Sequence, residues 1–128
     1  MSEQNWEQTR RKHKVVTLVG STKKEWQKKY RQVERELCLA GFVVMSVNVF
    51  RTDVPDIGVY RGTLVSIHLQ KIDMADCVVV IDEKAIGNHT GYAIVYAKRV
   101  GKPVIIFESK AITTDAINEA TKADSSNH

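Results

Sequence analysis

Four short apolar runs that alternate with segments of helical periodicity constrain the fold of this chain more than any other feature. The run at residues 77–81, Cys-Val-Val-Val-Ile, contains no polar residue, which is typical of a strand buried on both faces of a parallel sheet. Similar runs stand at residues 15–19, 42–47 and 104–107. Because parallel strands are joined by right-handed helical crossovers, the sequence predicts a single Rossmann-like or flavodoxin-like α/β domain. We expect a parallel sheet of at least four strands, in the order 2-1-3-4, with helices on both faces.

Helices are predicted in the segments between and after these runs. The first is indicated by apolar residues at helical spacing, which are Trp26, Tyr30, Val33, Leu37 and Ala40. Ser21 or Thr22 is available to cap this helix, and Gly41 is placed to end it. Further helices are expected over residues 62–73, 90–100 and 111–123. Residues 48–60, which include a proline and a glycine, are expected to form a loop long enough to cover a substrate.

The chain of 128 residues is long enough to enclose one hydrophobic core. We divide it into a polar basic leader at residues 1–13, the α/β domain at 14–123 and a frayed tail at 124–128. No stretch reaches the ~20 apolar residues of a membrane helix, and the amino terminus lacks the apolar core of a signal peptide, so a cytoplasmic location is expected. Cys38 and Cys77 have no CxxC spacing and are expected to be buried thiols.

The net charge of +4 favours anionic partners. Much of it comes from the leader and from one face of the first helix, at Arg10, Arg11, Lys12, Lys14, Lys23, Lys24, Lys28 and Lys29. Runs of charge on helices are most often solvated faces, and the sequence contains no aromatic-interleaved RNA motif or recognition helix. A small-molecule partner is therefore favoured over a nucleic acid.

The turn after the first strand, Gly20-Ser21-Thr22, is a candidate anion site. It combines a glycine, two hydroxyls and the amides of a helix start, where a phosphate or carboxylate is favoured. An equally open alternative is that Ser21 or Thr22 only caps the helix and Gly20 only turns the chain. The turn is neither a Walker motif nor a dinucleotide-binding glycine fingerprint. In parallel α/β sheets ligands bind beyond the carboxyl ends of the strands, which here are the loops after Val19, Val47 and Ile81.

Three segments within residues 14–108 carry a more specific signal: VVTLVGSTKKEWQKKYRQVERELCLAGFVV, IHLQKIDMADCVVVID and IGNHTGYAIVYAKRVGKPVIIF. The most telling parts are KIDMAD before a buried strand and TGYAIVYAKRVGKP before the last strand. Together these segments resemble the nucleoside 2-deoxyribosyltransferase-like superfamily. The resemblance implies cleavage of an N-glycosidic bond between a base and a deoxyribose, or a nucleotide equivalent, with transfer of the sugar to another base or to water. It implies neither a metal nor a redox cofactor.

Alanine stands where the resembled family has its nucleophile. In that family a glutamate directly precedes the apolar-x-Tyr-Ala stretch, and its carboxylate attacks the anomeric carbon to form a glycosyl-enzyme intermediate. The equivalent position here is Ala93, whose methyl group cannot perform this step. Two explanations are open: a natural binding protein without the nucleophile, or an enzyme whose glutamate was replaced, which the retained surrounding pattern favours. Either chain is expected to bind substrate and hardly turn it over.

The resemblance also points to residues that would contact the leaving base. His68 corresponds to a substrate-orienting position that is often an aspartate in the deoxyribosyltransferases. Its imidazole could exchange a proton with the leaving base, and the alternative is a structural histidine half-buried against the sheet. The second carboxylate of the family corresponds to Gly87, which cannot supply it.

The remaining candidates are polar residues near strand and helix ends. Asn88 and Thr90 are expected to hydrogen-bond a sugar or phosphate from a helix amino terminus. Asp82, at the end of a buried strand, is a candidate for a ribose contact. Asp73 and Asp76 are expected to cap the turn into the third strand rather than act as acids.

Two functions from different classes follow, and a scaffold whose cleft binds nothing in particular is a third possibility. The leading hypothesis is a nucleoside or nucleotide N-glycosidase or deoxyribosyltransferase in an inactive form. The rival is a non-catalytic nucleotide-binding sensor or sequestering protein on the same fold, because fold alone does not separate the two. The expected ligand is a nucleoside or nucleoside monophosphate, and the resemblance implies a homodimer or a higher even oligomer.

Overall fold

The computed structural model describes residues 3–47 and 53–125 of the chain. Its strands are β1 (Val15–Val19), β2 (Val43–Met45), β3 (Cys77–Val80) and β4 (Val104–Ile106). Its helices are α1 (Gln27–Leu39), α2 (Arg61–Met74), α3 (Asn88–Arg99) and α4 (Lys110–Ser125). Short 3-10 helices cover Glu3–Thr9, Lys24–Trp26, Ile57–Tyr60 and Glu83–Ala85. Over these described ranges, no helix is both long enough and apolar enough to cross a lipid bilayer.

The strands form one parallel sheet in the order β2-β1-β3-β4, which confirms the predicted fold class and strand order. Val16 of β1 stands opposite both Val44 of β2 and Cys77 of β3. The chain leaves β1 toward β2 and then crosses back to β3, so its direction across the sheet reverses between β1 and β3. In sheets of this kind the crevice at the reversal is where ligands bind.

Helices cover both faces of the sheet, as predicted. On one face, side chains of α1 and α4 such as Leu37 and Ile117 pack with inward residues of β1 and β3. On the other face, Ile72 of α2 packs in one cluster with Ala93 and Ala97 of α3. Alternate residues of each central strand serve opposite faces, because side chains in a strand alternate in direction. Burial on both faces explains why residues 77–81 contain no polar side chain.

The start of α1 differs from the prediction. A 3-10 turn, Lys24–Trp26, precedes the helix, and α1 itself begins at Gln27 without a side-chain cap. The prediction that Ser21 or Thr22 caps this helix is therefore wrong. Ser21 Oγ instead accepts the backbone N–H of Lys23 at 3.3 Å, a local turn two residues long. The predicted end is confirmed, since the chain leaves the helix through Gly41 at a φ of 97°.

The two cysteines lie in different environments. Cys77 is fully buried in β3, as predicted, and burial raises its pKa to about 12, so it stays a neutral thiol. Cys38 is exposed on α1, and the prediction that it is buried is wrong. Its neighbour Leu37 belongs to the buried stripe of the helix, and one further residue turns the side chain out of that stripe.

The predicted substrate-covering loop lies partly outside the described residues, and its second half contains the 3-10 helix Ile57–Tyr60.

Thr17, in the middle of β1, is fully buried, and its hydroxyl has no hydrogen-bond partner among the described residues. Burying an unpaired hydroxyl costs free energy that valine, of similar shape, does not cost. We expect Thr17→Val to raise the free energy of unfolding by about 1 kcal/mol in urea denaturation. The matched control is Thr113→Val, because the buried Thr113 hydroxyl accepts the Glu108 N–H at 3.0 Å. That variant should lose about 1 kcal/mol, and a loss for both variants would contradict the argument.

Candidate functional site

The carboxyl edge of the sheet brings together the loops after the strands and the amino termini of the helices. In this fold each strand runs into a connection that leads back through a helix, so α1, α2, α3 and α4 all begin at this edge. Unpaired N–H groups at a helix start carry partial positive charge and favour an anion. Most of the candidate site residues predicted from the sequence lie in these loops, so the sheet brings them to one edge.

Gly20, directly after β1, is required by its surroundings. Its φ is 156°, and a Cβ atom placed on it would lie 2.8 Å from Ile81 Cγ1 and 3.2 Å from the Tyr30 hydroxyl. Ile81 and Tyr30 are both buried, so neither side chain can move away without disturbing the core. Glycine therefore allows the loop after β1 to pass close to Ile81, directly beyond the end of β3.

The carbonyl oxygen of Ala85 ties three parts of the edge together. It accepts the backbone N–H of Ser21 at 2.7 Å and the hydroxyl of Thr90 at 3.4 Å. The loop after β1, the 3-10 helix after β3 and the first turn of α3 are thereby joined at one atom. The Ser21 amide and the buried Thr90 hydroxyl are thus engaged within the protein, whereas both had been predicted to be ligand contacts. Their role in this structure is to position the neighbouring groups.

The start of α3 is open to solvent. Gly87 precedes the helix with an extended backbone, and it has no side chain that could cap the first turn. Asn88, the first residue of α3, is exposed, as is Thr22 in the loop after β1. An exposed helix start without a capping side chain is suited to a phosphate or carboxylate. Of the predicted polar contacts, Asn88 and Thr22 are therefore the ones that the structure leaves accessible.

Asp82 lies directly beyond β3 and is engaged on both carboxylate oxygens. Oδ1 accepts the backbone N–H of Lys84 at 2.9 Å, which caps the 3-10 helix Glu83–Ala85. Oδ2 lies 4.0 Å from Nζ of Lys29, in the first turn of α1. The same ammonium stands 5.3 Å from the centre of the Phe107 ring, at the end of β4. A carboxylate, a cation and an aromatic ring thus meet at the carboxyl edge.

Ala93 is buried, with 3% of its surface exposed, in the cluster formed by α2, α3 and the sheet. The same cluster contains Val19 and Val80, the last residues of the two central strands. Position 93 lies in the second turn of α3, a helix that begins at the carboxyl edge of the sheet. Its methyl group is an apolar core contact in this chain.

His68 and Lys71 lie on α2. His68 is half-buried and has an interaction partner within the protein, so its predicted role as a proton donor to a leaving base stays a prediction. Lys71 Nζ donates to the carbonyl oxygen of Ser46 at 2.7 Å, just beyond β2. Burial lowers the pKa of Lys71. The ammonium of Lys71 is thus a partly desolvated charge held at the end of the edge strand.

Asp73 and Asp76 are structural, although with partners other than the predicted turn. Asp73 Oδ1 accepts the hydroxyl of Tyr96 at 2.7 Å, which joins α2 to α3, and this bond raises the pKa of Tyr96. Asp76 Oδ2 accepts the Val15 N–H at 2.8 Å, while the Asp76 N–H donates to the Val15 carbonyl at 2.7 Å. These two hydrogen bonds between Asp76 and Val15 hold the beginnings of β1 and β3 together at the amino edge, away from the candidate site.

Sequence reasoning did not identify Lys29, Phe107, Ala85 or Lys71 as parts of this edge. The sequence alone groups Lys29 with several lysines on a solvated helix face. Only its position in the first turn of α1, above Asp82 and Phe107, distinguishes it from Lys28. Ala85 acts through its backbone, which leaves no mark in the sequence.

Comparison of the chain with protein-family models and with curated proteins gave no match.

Proposed function

We propose that this chain binds a nucleoside or a nucleoside monophosphate at the carboxyl edge of its sheet. It would do so as a relative of nucleoside deoxyribosyltransferases and N-glycosidases whose nucleophile position is Ala93. In this proposal N-glycosidic bond cleavage or deoxyribosyl transfer needs a carboxylate at position 93, so the present chain binds and does not cleave. The protein would be cytoplasmic, with no metal or redox cofactor.

The observation that supports this proposal most is the position of Ala93. It shares a core cluster with Val19 and Val80, the residues that end β1 and β3. Ala93 is also in the second turn of α3, so a longer side chain there would start near the carboxyl edge, where ligands of doubly wound sheets bind. A carboxylate there would be in a mostly apolar setting, where a nucleophile is poorly hydrated and a sugar could be held against it.

A second candidate function, a binding protein that never had catalytic activity, is favoured by the burial of the same residue. Only 3% of Ala93 is exposed, and its neighbours in the cluster are apolar. An ionised glutamate would lose hydration at such a place, which raises the pKa of a carboxyl group. Alanine carries no such cost in an apolar cluster, and a sensor or sequestering protein needs no carboxylate there.

We expect the chain to bind a deoxynucleoside monophosphate more tightly than the matching nucleoside in calorimetric titrations. The phosphate would lie at the start of α3, where Asn88 is exposed and no side chain caps the helix. Asn88→Ala should weaken monophosphate binding by about fivefold, the equivalent of ~1 kcal/mol for one hydrogen bond. The matched control is Asn118→Ala on the exposed side of α4, which should bind normally. Equal affinities for both ligands, or an unchanged Asn88→Ala variant, would remove the phosphate from the proposal.

The proposal includes a homodimer or higher even oligomer. Several large apolar side chains of α2 and α3 are exposed, and exposed apolar side chains favour contact with another protein surface. They are Val65 (46% exposed), Met74 (61%), Tyr92 (74%) and Val95 (56%). Sedimentation of the full chain at micromolar concentration tests this part of the proposal separately from ligand binding.

A further inference from the structure

A cavity at the opposite, amino edge of the sheet is lined in part by three lysines. Its volume is about 550 Å³, and it lies between the segment that enters β1, the turn between α3 and β4, and the last turns of α4. The charged and polar residues that line it are Lys12, His13, Lys14, Lys102, Asp76 and Thr121. Three ammonium groups thus face a single carboxylate. A cavity of this size can hold a small phosphorylated molecule, since ligand sites commonly measure roughly 300–1,000 Å³.

One ammonium group of this amino-edge cavity, that of Lys14, is positioned by the fold. Lys14 is half-buried, and its Nζ donates to Thr121 Oγ1 at 2.6 Å. The Thr121 hydroxyl donates in turn to the carbonyl oxygen of Ile117 at 2.8 Å, which orients its oxygen toward the lysine. An ammonium has three N–H donors. Among the described residues only one donor of Lys14 has a partner, so the others are available to a ligand.

His13 and Asp76, which also line the cavity, are held by hydrogen bonds to the backbone. His13 Nδ1 lies 2.6 Å from the Gly41 carbonyl oxygen, which requires a proton on Nδ1 and fastens the leader to the end of α1. Asp76, the one carboxylate that lines the cavity, accepts the Val15 N–H, and among the described residues it forms no ion pair within 4.0 Å with Lys12, Lys14 or Lys102. The carboxyl end of α3 nearby contributes only about half a negative charge. The cavity therefore keeps an excess of positive charge.

We propose that the amino-edge cavity is a binding site for a small molecule with two or more linked phosphates. Two adjacent phosphate groups can engage Lys12 or Lys14 from one wall and Lys102 from the other. Without a ligand, the lysine ammonium groups repel one another. A multivalent anion bound between them lowers this electrostatic repulsion. Nothing in the carboxyl-edge proposal requires this site, and neither site depends on the other.

The test is a calorimetric titration of the full chain with pyrophosphate, repeated with inorganic phosphate at the same ionic strength. We expect saturable binding of pyrophosphate, at least tenfold tighter than that of inorganic phosphate. Lys102→Met and, separately, Lys12→Met, at an exposed position, should each weaken pyrophosphate binding about tenfold, as expected when a charge-assisted hydrogen bond is lost. The matched control is Lys98→Met, an exposed lysine of α3 outside the cavity, which should bind normally.

The two proposals are kept apart by the Asn88→Ala variant, which alters only the carboxyl edge and should bind pyrophosphate like the unchanged chain. The amino-edge proposal is overturned if pyrophosphate does not bind saturably. It is also overturned if Lys98→Met weakens binding as much as Lys102→Met does, because the attraction would then come from the overall charge of the protein.

Discussion

Ala93→Glu should release free base from a deoxynucleoside or its monophosphate, at a rate several orders of magnitude above that of the unchanged chain. A carboxylate beside the crevice would attack the anomeric carbon, form a glycosyl-enzyme intermediate and expel the base, and water would then release the sugar. Holding the nucleophile in place replaces a bimolecular encounter, for which effective molarities reach roughly 10⁵ M or more. Chromatographic measurement of free base, with no added metal, gives the rate.

The burial of position 93 adds a pH dependence to this expectation. Because the site is almost fully buried, the pKa of the new carboxyl group should be raised above its usual range. Only the ionised form is a nucleophile, so base release should rise with pH through that raised pKa and level off above it. The same burial should lower stability, most strongly at high pH where the charge is present, and unfolding experiments at two pH values would show this.

The matched control is Ala93→Gln, because the glutamine side chain has nearly the same size and shape as that of glutamate and its amide cannot act as the nucleophile. It should fold, bind as the glutamate variant does and release no base above the level of the unchanged chain. If Ala93→Glu folds and binds the common nucleosides and monophosphates but releases no base, the enzymatic part of the proposal is wrong. The binding-protein alternative would then stand.

Gly20→Ala should lower the free energy of unfolding by roughly 2–4 kcal/mol, because overpacking and a left-handed backbone each add a cost. The new Cβ would stand 2.8 Å from a side-chain carbon of Ile81, which has 0% of its surface exposed. It would also hold alanine at a φ of 156°, which L-residues rarely adopt. Urea denaturation followed by circular dichroism measures the loss.

Gly62→Ala is the matched control for that variant. Gly62 lies within α2, and a Cβ on it would meet no atom within 4 Å. Alanine should therefore stabilise the protein, by about 0.5–1 kcal/mol, because it has the higher helix propensity. Equal losses at Gly20 and Gly62 would show that the contact with Ile81 does not control the stability of the carboxyl edge.

The fold could be predicted because its determinants are local and repeated. Residues 77–81 are apolar throughout, as a strand covered on both faces of a sheet requires. Parallel strands then need crossover helices, and the connection rules leave few strand orders to choose from. The prediction that Cys38 is buried is wrong because a pattern that identifies a helix does not fix the burial of each residue on it. A cysteine next to the buried Leu37 was assigned to the core, although a rotation of one residue takes it to the surface.

The candidate site was predictable only in outline. Gly20 and Ser21 follow a strand and Asn88 begins a helix, and these positions in the sequence suffice to predict that all three lie at the carboxyl edge. What each group does there depends on contacts between distant segments, such as the Ser21 amide with the Ala85 carbonyl. Backbone carbonyls carry no residue identity, and so this contact has no signal in the sequence. The proximity of Lys29 to Asp82 likewise depends on how α1 packs against the sheet.

Nuclear magnetic resonance of the ¹⁵N-labelled full chain, titrated with a deoxynucleoside and then with its 5′-monophosphate, tests the central claim most directly. Binding at the carboxyl edge predicts saturable shifts of the backbone amides of Gly20, Ser21, Gly87 and Asn88 with both ligands, and larger shifts at Asn88 with the monophosphate. Amides that remain unshifted at saturating ligand would contradict the claim. Shifts confined to Lys14 and Lys102 at the amino edge would contradict it equally, because the ligand would then occupy the other end of the sheet.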